Sequence, residues 1–177
     1  MVLTFGCSSS NDSIIPQPAL TSYFVKFKVN GNQVEFILDG YTHFDDAAGN
    51  FNVDDSVDKS AGVGAGRYEN EESIALLIEN SSDFEVNTTY SNYNSSSSTQ
   101  PNLLFFTYRN LNGDSFGTVN ETDLVNLYPD AVANATIRFT SETATSLSGN
   151  FSGRFYNSND NYVDITEGEF HVLRSDI

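Results

Sequence analysis

The chain has 177 residues, and 8 Lys and Arg stand against 24 Asp and Glu for a formal net charge of −16. So acidic a chain lacks the basic face that displaces counterions from phosphate, which argues against nucleic acid as a partner. The single cysteine excludes an intramolecular disulfide, while 14 Phe and 9 Tyr are too many rings for a disordered acidic chain, so one domain with a self-sufficient core is expected.

The first residues, Met1 to Gly6, are mostly apolar and run into Cys7, after which Ser8-Ser9-Ser10-Asn11-Asp12-Ser13 changes the character abruptly. This segment resembles the cleavage region of a bacterial lipoprotein signal peptide. Gly6 then precedes the cut, and Cys7 becomes the acylated first residue of the mature chain. The apolar stretch is shorter than a normal leader core and has no basic residues before it, so residues 1–7 are expected to be a truncated leader and lipobox. Residues 8–19 form a polar tether stiffened by Pro16 and Pro18, and 20–177 form one domain. With its polar tract after the cysteine, the chain resembles Bacteroidetes-type outer-membrane lipoproteins. That resemblance implies a lipid anchor in the outer membrane, facing the cell surface. It also implies O-glycosylation at Asp-Ser-apolar motifs, which here fall on Ser13 and Ser56.

From Tyr23 the chain alternates: Tyr23, Val25, Phe27 and Val29 on one face, Phe24, Lys26 and Lys28 on the other. Asn30-Gly31 then separates this strand from Gln33 to Leu38, and this is a strong hairpin signal because both turn residues tolerate positive φ. Residues 39–72 combine an acidic stretch with Gly62, Gly64 and Gly66, which suits either a strand lying close to another backbone or a bulged edge strand. Ser73–Glu79 and Leu103–Tyr108 read as buried strands, and the Ser/Asn/Tyr-rich residues 87–102 between them as a long exposed loop. Asn120–Tyr128, closed by Pro129, is expected to be the one short helix. Three strands follow, over 135–141, 145–156 and 162–173. This closing meander resembles that of small Bacteroidetes lipoprotein domains of unknown function over residues 134–173. The whole reads as a mostly β protein, an antiparallel β-sandwich or flattened barrel of about eight to ten strands.

Asp45, Asp46, Asn50, Asn52, Asp54, Asp55 and Asp58 form the densest polar group, read as a solvated loop and also a set of hard oxygen ligands of the kind Ca²⁺ takes, without EF-hand spacing. A second group, Asn157, Asn159, Asp160, Asn161 and Asp164, lacks the central glycine and the closing Glu of such a loop. Gly62-x-Gly64-x-Gly66 is followed by no Lys-Ser/Thr and reads as strand or turn, not as a phosphate cradle. Nucleophilic catalysis has only His43 and His171 to draw on. Tyr90 and Tyr93, in the Ser/Asn-rich segment, are the rings best placed to stack on a sugar or a partner protein.

These features favour a non-catalytic, lipid-anchored accessory or binding subunit of an outer-membrane protein complex. A surface glycan-binding module, assisted by calcium at the acidic group, is the alternative, and a small hydrolase built on His43 or a carboxylate pair is the second.

Overall fold

Period-two alternation of apolar and polar residues becomes strand throughout the computed structural model, which describes residues 22–38, 45–55, 58–67, 71–93, 95–119, 131–159 and 161–176; the side chains of Asp45, Asp46 and Asp55 lie outside that description. The strands are β1 (Tyr23–Val29), β2 (Asn32–Leu38), β3 (Asp45–Asp55), β4 (Asp58–Arg67), β5 (Ser73–Asn80), β6 (Thr89–Ser91), β7 (Leu103–Arg109), β8 (Ser115–Gly117), β9 (Thr136–Glu142), β10 (Ser146–Tyr156) and β11 (Tyr162–Arg174). No helix occurs among the described residues. The helix expected at Asn120–Tyr128 lies outside them, as do Cys7, Ser13, Ser56 and His43.

All eleven strands belong to one sheet. Two runs of neighbours, β2-β1-β11-β10-β9-β6 and β3-β4-β5-β7-β8, are antiparallel within themselves. Two short ladders join the runs: the parallel pairs Leu173↔Ala48 and Arg174↔Gly49, and the antiparallel pair Tyr156↔Gly117. Inward residues of the two runs meet ring to ring. Phe27 of β1 meets Tyr108 of β7 at 5.6 Å, and Phe51 of β3 meets Phe139 of β9 at 4.9 Å.

The β1–β2 hairpin forms as its sequence predicts, with Asn30 at φ 49° and Gly31 at φ 85° allowing an unbroken register from Tyr23↔Leu38 to Val29↔Asn32. The glycine-rich segment is the central strand β4, between β3 and β5, and not a bulged edge. A Cβ on Gly62 would sit 2.6 Å from the Leu76 carbonyl oxygen of β5, so glycine is what lets the two backbones approach.

Two other expectations are corrected. The acidic segment is not a loop, because Ala47, Gly49 and Phe51 are buried on one side of β3 and draw its backbone into the ladder with β4. Residues 87–102 are not a simple exposed loop, because β6 pairs with β9 and places Tyr90, Ser91 and Asn92 in the interior. The buried polar groups there are satisfied locally. Asn92 Nδ2 donates to the Val119 carbonyl at 2.7 Å, its Oδ1 accepts from the Ala135 N–H at 2.9 Å, and Ser91 Oγ donates to the Tyr93 carbonyl at 2.7 Å.

On β10 and β11 the cross-strand partners Gly149↔Phe170 and Phe151↔Gly168 place each ring over a glycine. The two rings also meet each other, 6.4 Å apart. A Cβ on Gly168 would overlap the Phe151 carbonyl and lie 2.8 Å from its ring, and one on Gly149 would overlap the Arg138 carbonyl and the tip of Phe170. A bulge at Glu167, φ 52°, shifts the register against both β1 and β10. Thr166 and Glu167 both face outward as a result, and the buried alternation resumes at Gly168.

Gly168→Ala and Gly149→Ala are each expected to lower stability by about 2–3 kcal/mol, since the overlap involves backbone oxygen as well as ring. Gly64→Ala, with nothing within 4 Å of its added Cβ, should stay within about 0.5 kcal/mol of the parent. Urea unfolding midpoints at constant m-value distinguish these outcomes.

Candidate functional site

The acidic residues expected to bind calcium sit on a hairpin, where alternation sends neighbours to opposite faces, and most of those described are engaged by protein. Asn52 donates from Nδ2 to the Phe84 carbonyl at 3.0 Å and accepts the Phe84 N–H at Oδ1, 2.5 Å away. Asp54 pairs with Lys59, and Asp58 accepts from Asn102 Nδ2 at 3.0 Å. Asn50 Oδ1 is buried without a hydrogen-bond partner among the described residues. Among the described residues no three His, Cys, Asp or Glu side chains come together as a metal site. In the second group, Asn157 Oδ1 accepts the N–H groups of Asn159 and Asn161 at 2.9 and 3.1 Å, which makes it a turn, and Asp164 takes two bonds from Arg154, at 2.7 and 3.0 Å.

Tyr90 does not present its ring to a ligand. It is 2% exposed and packs edge-on against Phe84 at 5.0 Å, while its hydroxyl accepts the Glu85 N–H at 2.8 Å. An aromatic residue pointing inward from a three-residue strand gains more by burial than by waiting for a partner. Tyr93 is half-buried and contributes its carbonyl to Ser91.

Open concavities among the described residues lie elsewhere. Two shallow clefts, of about 410 and 480 Å³, share Thr89 and Arg138. The first runs over the outer face of β9, β10 and β11 and includes Thr136, Asn150, Ser152, Glu167 and Glu169. The second is walled by Asn87, Thr88, Ser96, Ser97, Ser98 and Thr99. Strand register builds this surface: Thr89 of β6, Arg138 of β9, Asn150 of β10, Glu169 of β11, Lys26 of β1 and Glu35 of β2 form one cross-strand row. Thr136 and Ser152 start a second row, their hydroxyls 3.1 Å apart.

Both carboxylates that line the clefts are ion-paired, Glu169 with Lys26 at 2.9 Å and Glu167 with Lys28 at 2.7 Å. Arg138 is different. Every other Lys and Arg of the chain pairs with a carboxylate, but Arg138 has no such partner among the described residues and only a 3.4 Å bond from Nη2 to Asn87 Oδ1. Sequence reasoning missed Arg138 and its hydroxyl neighbours. Nothing local distinguishes this arginine from the seven other basic residues, since its distinction lies in which strands flank it.

Two further polar groups have structural roles. Ser148 Oγ meets His171 Nδ1 at 2.8 Å, but the imidazole is stacked on Tyr23, ring centres 5.2 Å apart, and neither residue lines the two clefts. Glu72, 3% exposed, accepts the Tyr108 hydroxyl at 2.9 Å and Arg67 Nη1 at 2.8 Å, and Arg67 Nη2 reaches the Glu35 carbonyl at 2.6 Å. This buried set ties β2, β4 and β7 to the start of β5.

Burial, and then the bond to the Glu72 carboxylate, push the Tyr108 phenol well above its ordinary range, and burial likewise raises Tyr90. Both phenols ionise more readily in the unfolded chain, so stability is full below about pH 10 and is lost as pH rises beyond it. A phenolate absorbance titration should show these two tyrosines ionising only together with unfolding. Tyr108→Phe should remove part of the alkaline sensitivity while costing about 1–2 kcal/mol at neutral pH, through the donor lost by Glu72.

Compared with known proteins, the chain matches no family profile, no curated protein sequence and no solved structure.

Proposed function

We propose that this chain is a lipid-anchored outer-membrane lipoprotein of the Bacteroidetes type, in which a β domain works as a non-catalytic accessory or binding subunit of an outer-membrane protein complex. The anchor rests on sequence: the apolar run into Cys7 and the polar tether of 8–19. Among the described residues no helix is long and apolar enough to cross a membrane. We read the sheet as a flattened barrel, its faces the two runs of strands and its corners the short β11–β3 and β10–β8 ladders; the rings that meet between the runs support this.

The single observation behind a binding role is the polar outer face of β6, β9, β10 and β11. The two carboxylates that line its clefts, Glu167 and Glu169, are engaged by lysines, and the remaining lining is mostly hydroxyl and amide groups. The clefts walled by Ser, Thr and Asn favour a second reading, a surface glycan-binding module, because hydroxyl and amide groups can both donate to and accept from sugar hydroxyls.

Mass spectrometry of protein expressed from its native gene and isolated from its own membranes should find Cys7 acylated at the mature N-terminus, and Cys7→Ala should leave the protein unanchored. An unmodified Cys7 overturns the anchor. Tagged protein solubilised from the same membranes should carry a stoichiometric outer-membrane partner; recovery of the domain alone overturns the accessory role.

A further inference from the structure

We infer that the two clefts meeting at Arg138 form a site for a carboxylate-bearing oligosaccharide, with Arg138 as the carboxylate anchor and the surrounding hydroxyl and amide groups as the sugar contacts. This inference rests on the glycan-binding reading and narrows it to acidic, uronate-type saccharides.

Charge supplies the first argument. With a net charge of −16, the chain offers an ample supply of carboxylates, and seven of its eight basic side chains take one. Arg138 stands exposed without one among the described residues, and the two acids lining the clefts, Glu169 and Glu167, are already taken by Lys26 and Lys28. Its one side-chain hydrogen bond among the described residues, 3.4 Å to Asn87 Oδ1, is weak and leaves most of a five-donor guanidinium fork for the clefts it lines. Such a fork matches a carboxylate in bidentate geometry, and it is more weakly hydrated than an ammonium.

The walls supply the second. Thr88, Thr89, Thr136, Ser97, Ser152 and Asn150 offer hydroxyls and an amide on both sides of Arg138. A protein partner seeks a central apolar or aromatic anchor point, and among the described residues the only large apolar one lining either cleft is Phe151, 3% exposed beneath the surface. A chain of sugars needs the reverse, a shallow, extended surface dense in hydrogen-bonding groups. The outer edge of β6 is also engaged: Thr99 donates its N–H to the Thr89 carbonyl at 2.8 Å and accepts the Ser91 N–H at 3.0 Å. An incoming peptide strand therefore does not find that edge open.

The test is titration of ¹⁵N-labelled protein with tetramers of galacturonate, glucuronate and mannuronate, each beside its methyl-esterified form, which keeps the sugar and removes the charge. At least one acidic tetramer should bind, shifting the amides of Thr89, Thr136, Arg138 and Ser152, with affinity at least about tenfold above its ester. Arg138→Gln should weaken it by about tenfold or more and abolish the salt dependence, whereas Arg138→Lys should fall between. Both variants change an exposed side chain, so an unaltered thermal midpoint checks their folding; Ser152→Ala, which keeps the charge, should weaken acid and ester alike. If esters bind as well as acids, or Arg138→Gln binds unchanged, this inference fails and the glycan-binding reading survives. If no saccharide binds at millimolar concentration, both fail. Arg138-dependent capture of an outer-membrane protein without saccharide binding assigns the face to protein docking and overturns the inference.

Discussion

Three strands, β1, β10 and β3, pair with β11, and its ladder with β10 seats Phe170 on Gly149 and Phe151 on Gly168. Removing both Cβ atoms lets β10 and β11 lie against each other with a ring in each gap. From there the rings reach further: Phe170 meets Phe139 at 5.9 Å and Phe151 meets Phe27 at 5.8 Å, so β9 and β1 are tied to the same point. Close packing of this kind tolerates neither extra nor missing volume. Small residues at 149 and 168 are thus as much part of the core as the phenylalanines.

The same interlock sets the surface. For Gly168 to face inward directly after the outward pair Thr166 and Glu167, the strand must bulge, and Glu167 takes the left-handed conformation that makes the bulge. Glu167 then reaches Lys28 and Glu169 reaches Lys26, which neutralises the outer face beside the clefts. A packing requirement in the core has in this way decided the electrostatics of the face opposite it. Arg138, two strands further along on β9, is left as a local positive site on an acidic molecule. Screening over about 8 Å at physiological salt keeps that site distinct from the distant negative charge.

The hairpin at Asn30-Gly31, the buried strands around Ile74–Ile78 and Leu104–Tyr108, and the three closing strands were legible in the sequence. Each is a local pattern: alternation with a turn residue whose φ is fixed by its chemistry, or a short apolar run. Asp45–Asp58 and residues 87–102 were not, because polar composition resembles a loop when the partners that satisfy it are far away in sequence. Asn52 is satisfied by Phe84, and Asn92 by Val119 and Ala135. Tyr90 misled for the same reason, since its burial depends on Phe84 and on the β9 ladder and not on its polar neighbours.

By itself the sequence determined that the chain is acidic, rich in strand and unable to form an internal disulfide, and it located the segment read as a membrane anchor. These follow from composition and from patterns a few residues long. Only the tertiary structure decided which of many Ser, Thr, Asn and charged residues share a face, because the rows that join Thr89, Arg138, Asn150 and Glu169 are set by strand order and register between segments up to 80 residues apart. Cross-strand neighbourhood is a long-range property, and no local pattern encodes it.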